Sequence, residues 1–234
     1  VAFDGMRDVL LWTVDRGLMM HRFAQFTAAV TFLLLLAGGL VTSTDSGLSV
    51  PDWPLSYGTL FPPMVGGILY EHTHRMIAAV VGLLIAVLAG WVWLKEPRRW
   101  IRRLAGGALA AVIAQAILGG LTVLFLLPPA VSIAHACLGQ AVFCLTLCVA
   151  LVTSPAWHRD ATAVDDPRRP SFQMLCVSAA GLCSVQLFLG AVLRHSGRAL
   201  ALHLVCAASL VVMVGAIVWR VHRQFSDVTP LRRM

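Results

Sequence analysis

Glu71-His72-Thr73-His74-Arg75 sets a carboxylate, two imidazoles and a guanidinium side by side, immediately before an uncharged run from Met76 to Leu94. Ionisable groups at the mouth of a membrane span are costly to hold there, and function is their default explanation. On a helix that begins by Tyr70, Glu71 and His74 are i and i+3 and share a face. His72 lies about 200° from His74 at roughly 100° per residue, so the two cannot serve one ligand from one helix. Arg75 is i+4 from Glu71, the spacing of an ion pair. A carboxylate beside one imidazole inside a membrane points to a proton relay or to a metal-centred cofactor. The plain structural alternative is a polar cap at the interface.

The elements that position this cluster are membrane spans. The 234 residues are 59% hydrophobic and 12% charged, with a mean hydropathy of +0.81, which excludes an ordinary soluble domain. Apolar runs place spans at 23–43, 72–94, 104–127, 131–153, 172–193 and 199–219, the third and fourth separated by a tight Pro128-Pro129 turn. Residues 1–20 form a lead-in, predicted to be amphipathic and to lie on the membrane surface. The first apolar run is too long and starts too late for a cleavable signal peptide. The loop from Thr44 to Tyr70 holds Asp45, Asp52 and no Lys or Arg, and mixes turn-formers with Trp53, Tyr57 and Phe61. It is expected to be a packed lid, its aromatics lying over a hydrophobic ligand or anchoring at the interface. The six cysteines, Cys137, Cys144, Cys148, Cys176, Cys183 and Cys206, all fall inside apolar runs without a CxxC spacing and read as small core residues.

Basic residues cluster in the lead-in, at 95–103, at 155–170 and at the C-terminus. These lie on one side of a six-span protein, which makes that side and both termini cytoplasmic. The net charge of +7 is therefore topology. It predicts a lipid bilayer as partner and no nucleic acid.

This topology brings His74, His135 and His203 to one depth, near the outer ends of the second, fourth and sixth spans. Zinc would want four Cys, His or carboxylate ligands, and no thiol lies at that depth. Heme fits better, since its iron takes axial imidazoles and its porphyrin wants an apolar slot between helices. His74 and His135 facing each other across a four-helix bundle would make a bis-histidine site. Glu71 would stand over the porphyrin edge, and Arg75 would pair with Glu71 or with a propionate. His21, His72, His158, His195 and His222 read as interfacial or solvated. Gln115-Ala-Ile-Leu-Gly119-Gly120 echoes Gln186-Leu-Phe-Leu-Gly190-Ala191, with a weaker match at Leu36-Ala37-Gly38-Gly39. The fold expected is all-α: a polytopic bundle of six spans, with a four-helix bundle at 21–155 and half of a pseudo-symmetric second bundle at 156–234.

Gly38 to Gly58, Phe61-Pro62-Pro63, Glu71 to Arg75, and Gln115 to Val123 followed by His135 resemble the heme A synthase family of cytochrome oxidase assembly. The resemblance covers about residues 20 to 220 and is thinner beyond the fourth span. It implies two pseudo-symmetric four-helix bundles in a bacterial plasma membrane, with heme sites toward the outer side. His74 and His135 would hold the substrate heme O, and Glu71 would be the catalytic carboxylate. His203 would be an axial ligand of a cofactor heme b. The activity implied is oxidation of the C8 methyl of heme O to the formyl of heme A by successive hydroxylations, with heme O synthase or other oxidase assembly factors as partners. The alternatives are a non-catalytic heme-binding membrane subunit for electron or heme transfer, and a proton-coupled transporter.

The chain departs from the family in three ways. Val50 and Ser56 stand where many members have a cysteine pair, so no disulfide closes this loop. The turn at Arg194-His195-Ser196-Gly197 is short, and the last two family helices are not in this sequence, which leaves His203 without its family partner. His195 or a partner chain would supply that ligand, or the sequence is part of a longer chain, as its start at Val rather than Met also suggests.

Overall fold

The structure, a computed structural model, describes residues 2–158, 166 and 168–224. Arg159 of the basic 155–170 stretch and Arg232 and Arg233 of the C-terminal one lie outside the described residues. Six long helices make up the fold: α1 (Ala2–Ser43), α2 (Gly67–Lys95), α3 (Arg99–Leu124), α4 (Pro129–Val152), α5 (Phe172–Ser196) and α6 (Leu200–Gln224). Each contains a segment long and apolar enough to cross a membrane, beginning at Gly17 in α1. No strand occurs among the described residues. The chain is an integral membrane protein, and the large apolar side chains exposed along its helices are those that lipid would cover.

Two helix boundaries depart from the reading of the sequence. The lead-in is helical from Ala2 and continues into the first span without a break. The second helix starts at Gly67, a few residues before the Tyr70 start taken from the sequence, and Glu71–Arg75 lies inside it as that reading required. Apolar Ile68 and Leu69 belong to its first turn.

The chain divides into two compact units, Val1–Ala161 and Thr162–Met234. In the first, α1 packs on α2, α2 on α3, α3 on α4 and α4 back on α1. This closes a four-helix ring in which α2 and α4 are diagonal partners. Its interior holds two apolar clusters. One joins Met20, Ala24, Leu88, Val92, Ile101 and Val149 at the end nearest the α2–α3 turn. The other joins Val81, Ile85, Ala108 and Val142 at mid-height. Buried threonines are satisfied by their own helices: Thr31 donates to the Thr27 carbonyl at 2.7 Å and Thr153 to that of Val149 at 2.8 Å. No water is available at that depth to do this for them.

The end with the α2–α3 turn is tied by charge. Buried Glu96 accepts from Arg98 Nε at 2.7 Å and from Arg98 Nη2 at 2.9 Å. Arg102 Nε donates to the Glu96 carbonyl. His21, read from sequence as interfacial, instead uses Nδ1 to bond the Ala150 carbonyl across the bundle at 2.9 Å.

In the second unit, α5 and α6 form a hairpin. Ser171 caps α5 by accepting from the Met174 N–H, and Gly197 ends it at φ 68°. Arg220 pairs with Asp166 at 2.5 Å and donates to the Pro170 carbonyl. The Phe172 N–H held by Asp166, together with the Arg220 charge, keeps that carboxyl below the usual aspartate range.

Candidate functional site

The site lies at the other end of the four-helix ring, beyond the mid-height cluster, where α2 meets the 44–66 loop. Glu71 is 3% exposed and hydrogen-bonded through both oxygens. Its Oε1 accepts from Arg75 Nη2 at 2.5 Å, and its Oε2 accepts from the Val50 N–H at 2.8 Å. Arg75 reaches past Glu71 into the loop. Nη1 donates to the carbonyls of Asp52 at 2.6 Å and Leu55 at 2.8 Å, and Nη2 to that of Val50 at 3.1 Å. A planar guanidinium can satisfy several acceptors in one plane, which a lysine cannot.

His72 is not solvated. It is 5% exposed, and its Nδ1 shares a 2.8 Å hydrogen bond with Ser56 Oγ, itself 1% exposed. Pointing away from His74, as the helical spacing requires, it meets the loop instead of solvent. Val50 and Ser56, where the resemblance would put a cysteine pair, are thus both buried and both held by α2.

The loop is a packed structure. Asp52 Oδ1 accepts from the Tyr57 N–H at 2.7 Å and Oδ2 from the Gly58 N–H at 2.8 Å. These two bonds, Gly58 first, with the nearby Arg75 charge, lower the Asp52 pKa below 3.8. The Tyr57 hydroxyl donates to the Ser49 carbonyl at 2.7 Å. The Trp53 ring lies flat enough on α3 that a Cβ at Gly120 would sit 2.8 Å from its Cδ2. Phe61, by contrast, is 90% exposed and covers nothing in the protein.

His74 sits one turn below Glu71 on α2, and His135 sits on α4, its diagonal partner. The two rings are within electrostatic reach of each other. Each is seated against a glycine of the preceding helix: a Cβ at Gly38 would stand 3.1 Å from His74 Cε1, and one at Gly119 3.0 Å from His135 Cε1. His203 repeats this in the second unit, with Gly190 at 3.1 Å. Two glutamines add to the pattern. Gln115 Nε2 donates to the His135 carbonyl at 2.9 Å, and Gln186 Nε2 lies 3.2 Å from both ring nitrogens of His203. The sequence carries this signal as the repeated Gln-x-x-x-Gly, read there only as an echo.

The residues present suit a porphyrin iron. An axial imidazole needs one ring nitrogen that the protein has not already taken, and His74 Nδ1 is buried with no hydrogen-bond partner among the described residues. Two imidazoles on diagonal helices match bis-histidine ligation. Among the described residues no group of three or more His, Cys, Asp or Glu could hold a bare metal ion.

A ring of four membrane helices, with an imidazole on each of two diagonal members and a loop strapped to one of them, defines a helical-bundle integral membrane protein. The chain belongs to the COX15-CtaA family of cytochrome oxidase assembly proteins, whose model matches residues 21–66 and 65–229. It is 32% identical over 181 residues to a heme A synthase of Symbiobacterium thermophilum, covering 74% of this chain and 58% of that protein. It is 31% identical over 193 residues to a heme A synthase of Alkalihalophilus pseudofirmus, covering 78% and 63%. With the heme A synthase of Exiguobacterium sibiricum it shares 40% identity over 108 residues, 43% of this chain and 36% of that one. The chain therefore spans about three-fifths of the length of the first two relatives.

Proposed function

We propose that this chain carries the substrate bundle of a heme A synthase, an oxidoreductase that converts the C8 methyl of heme O to a formyl group. The observation that carries the reading is the stacking along α2: His74 has a buried ring nitrogen without a hydrogen-bond partner among the described residues, Glu71 lies one turn above it, and a loop strapped by Arg75 covers Glu71. Family membership and the names of the relatives support it.

In this reading His74 and His135 hold heme O by its iron. Two hydroxylations at one carbon give a gem-diol, which loses water to leave the formyl. Counted with water as oxygen source, the conversion of methyl and one net water to formyl releases four electrons and four protons, two of the protons from the methyl and two from water. Glu71 accepts protons there or stabilises positive charge developing at that carbon. Its two hydrogen bonds leave lone pairs on both oxygens for this. Arg75 and Val50 fix where the carboxylate points, and the loop excludes water from it.

His203, in its Gly190 seat, would hold heme b, which supplies a route for the electrons. The basic 95–103 segment argues for a cytoplasmic α2–α3 turn, and with it cytoplasmic termini, in a bacterial plasma membrane. The Glu71 end then faces outward. Heme O synthase and oxidase assembly factors are the partners this role calls for.

The test is extraction and mass analysis of heme from protein purified out of cells that make heme O. Heme b together with heme O, its hydroxylated form or heme A is the expected result. Heme b alone would favour a non-catalytic heme-binding subunit, and no heme at all would overturn the reading.

A further inference from the structure

The inner faces of α2 and α4 run in register. On α2 they carry Glu71, His74, Val81 and Leu88, and on α4 Ser132, His135, Val142 and Val149, with the same steps between successive members. Val81 and Val142 meet in the mid-height cluster, and Leu88 and Val149 in the cluster near the α2–α3 turn. The two series therefore share their depths. Ser132 stands to His135 as Glu71 stands to His74, one turn nearer the loop end. In the second unit the residue at that place before His203 is Leu200, which is apolar and exposed.

Ser132 is 4% exposed, and its hydroxyl is buried with no hydrogen-bond partner among the described residues. The buried threonines Thr27, Thr31, Thr122 and Thr146 each donate to a carbonyl of their own helix instead. A buried hydroxyl left over in this way calls for an explanation. The other polar groups around it are committed. Both Nη groups of Arg75 serve the loop and Glu71, His72 Nδ1 is shared with Ser56, and Gln115 Nε2 donates to the His135 carbonyl. The Glu71 carboxylate can only accept. Ser132 is thus a donor held in reserve at the level of Glu71.

We propose that Ser132 is a substrate-binding residue, whose hydroxyl donates a hydrogen bond to the oxygen installed on the C8 carbon. This inference rests on the heme reading above, with His74 and His135 as axial ligands. Two axial imidazoles approach one iron from opposite faces of the porphyrin. The residues one turn outward from them flank the same edge, Glu71 from one face and Ser132 from the other. The two are chemically complementary. Glu71 takes protons, whereas a formyl oxygen has lone pairs alone and needs a donor. Ser132 supplies it, holding the hydroxylated carbon for the second oxidation. No bond to Ser132 is made or broken.

The experiment uses the full chain carrying His203→Ala, so that only the first bundle reports, loaded with heme A in detergent. Resonance Raman spectroscopy reads the formyl C=O stretch, which a hydrogen bond lowers. The parent should show the lowered band. Ser132→Ala should move it up to the position of an unbonded formyl, and Ser132→Thr, which keeps the hydroxyl, should hold it down. In extracts of cells that make heme O, Ser132→Ala should raise the ratio of hydroxylated intermediate to heme A while heme content is unchanged. Removing an unpartnered hydroxyl leaves no orphan behind, so heme-free Ser132→Ala should unfold no earlier than the parent. An identical formyl stretch in the parent and Ser132→Ala would overturn the inference and leave the heme reading intact. So would a thermal midpoint of heme-free Ser132→Ala below that of the parent, since the protein itself would then be using the hydroxyl. Failure of the parent to bind heme A would remove the heme reading and this inference with it.

Discussion

The Val50 N–H donates to Glu71 Oε2 over 2.8 Å, joining residues 21 positions apart into one buried contact between loop and helix. Glu71 is thereby a structural tie as well as the proposed proton acceptor, and the two roles separate by substitution. Glu71→Gln keeps a carbonyl oxygen for Val50 but no charge. The expected outcome is normal hemin binding and a protease-resistant loop, with heme O or a hydroxylated intermediate accumulating in extracts. Glu71→Ala should show the same block with a looser loop. Normal heme A output from either variant would sink the catalytic assignment.

Arg75 closes the loop by bonding three backbone carbonyls and one carboxylate, and its side chain is 11% exposed. Removing one partner of a buried pair costs roughly 3–5 kcal/mol, because the other charge is left uncompensated. Arg75→Ala should therefore expose residues 44–66 to protease and lower the thermal midpoint. Arg75→Lys should recover little, since an ammonium group cannot span acceptors placed for a planar fork. Protease resistance equal to the parent in both variants would show that the loop does not depend on this clamp.

Asp52 makes the loop sensitive to acid. Its folded pKa is lowered, chiefly by the Gly58 and Tyr57 N–H groups. A carboxyl with a depressed folded pKa stabilises the fold above its unfolded value, and this is lost as pH falls through the folded one. Amide exchange at Tyr57 and Gly58 should thus be protected at neutral and mildly acidic pH. Protection should fall only below the ordinary aspartate value of 3.8. Asp52→Asn should abolish that acid-dependent step. Loss of protection already near neutral pH would point to another group.

Gly119 and Gly190 should be separable by heme count. A methyl at Gly119 would press within 3.0 Å of His135 Cε1, and one at Gly190 within 3.1 Å of His203 Cε1. In each case the ring must shift against a packed helix. Gly119→Ala should lose heme of the first bundle alone, and Gly190→Ala only that of the His203 site. Extraction with quantitation by mass reads both, and loss of the same heme in both variants would contradict the assignment.

The six helices were legible because each span is an apolar run bounded by charge or, between the third and fourth, by Pro128-Pro129, and Glu71 with Arg75 because i,i+4 pairs are a property of helices themselves. What escaped depended on contacts distant in sequence. His72 looked like an interfacial side chain because Ser56, its partner, is 16 residues away in an irregular loop. Three of the Arg75 acceptors are backbone carbonyls, which leave no trace in residue type. His21 bonds a carbonyl 129 residues on, beyond anything periodicity reports. Gln115 and Gln186 were visible as a repeat, but only the packed helices show which side chain each one touches.

The strapping of the loop to α2 has a mechanical side. Val50, Asp52, Leu55 and Ser56 are all bonded to residues 71, 72 and 75 of that one helix. The loop's polar ties thus run to one helix, while Trp53 rests on another, α3. Any displacement of α2 would pull on loop, carboxylate and imidazole together, against the hold of Trp53 on α3.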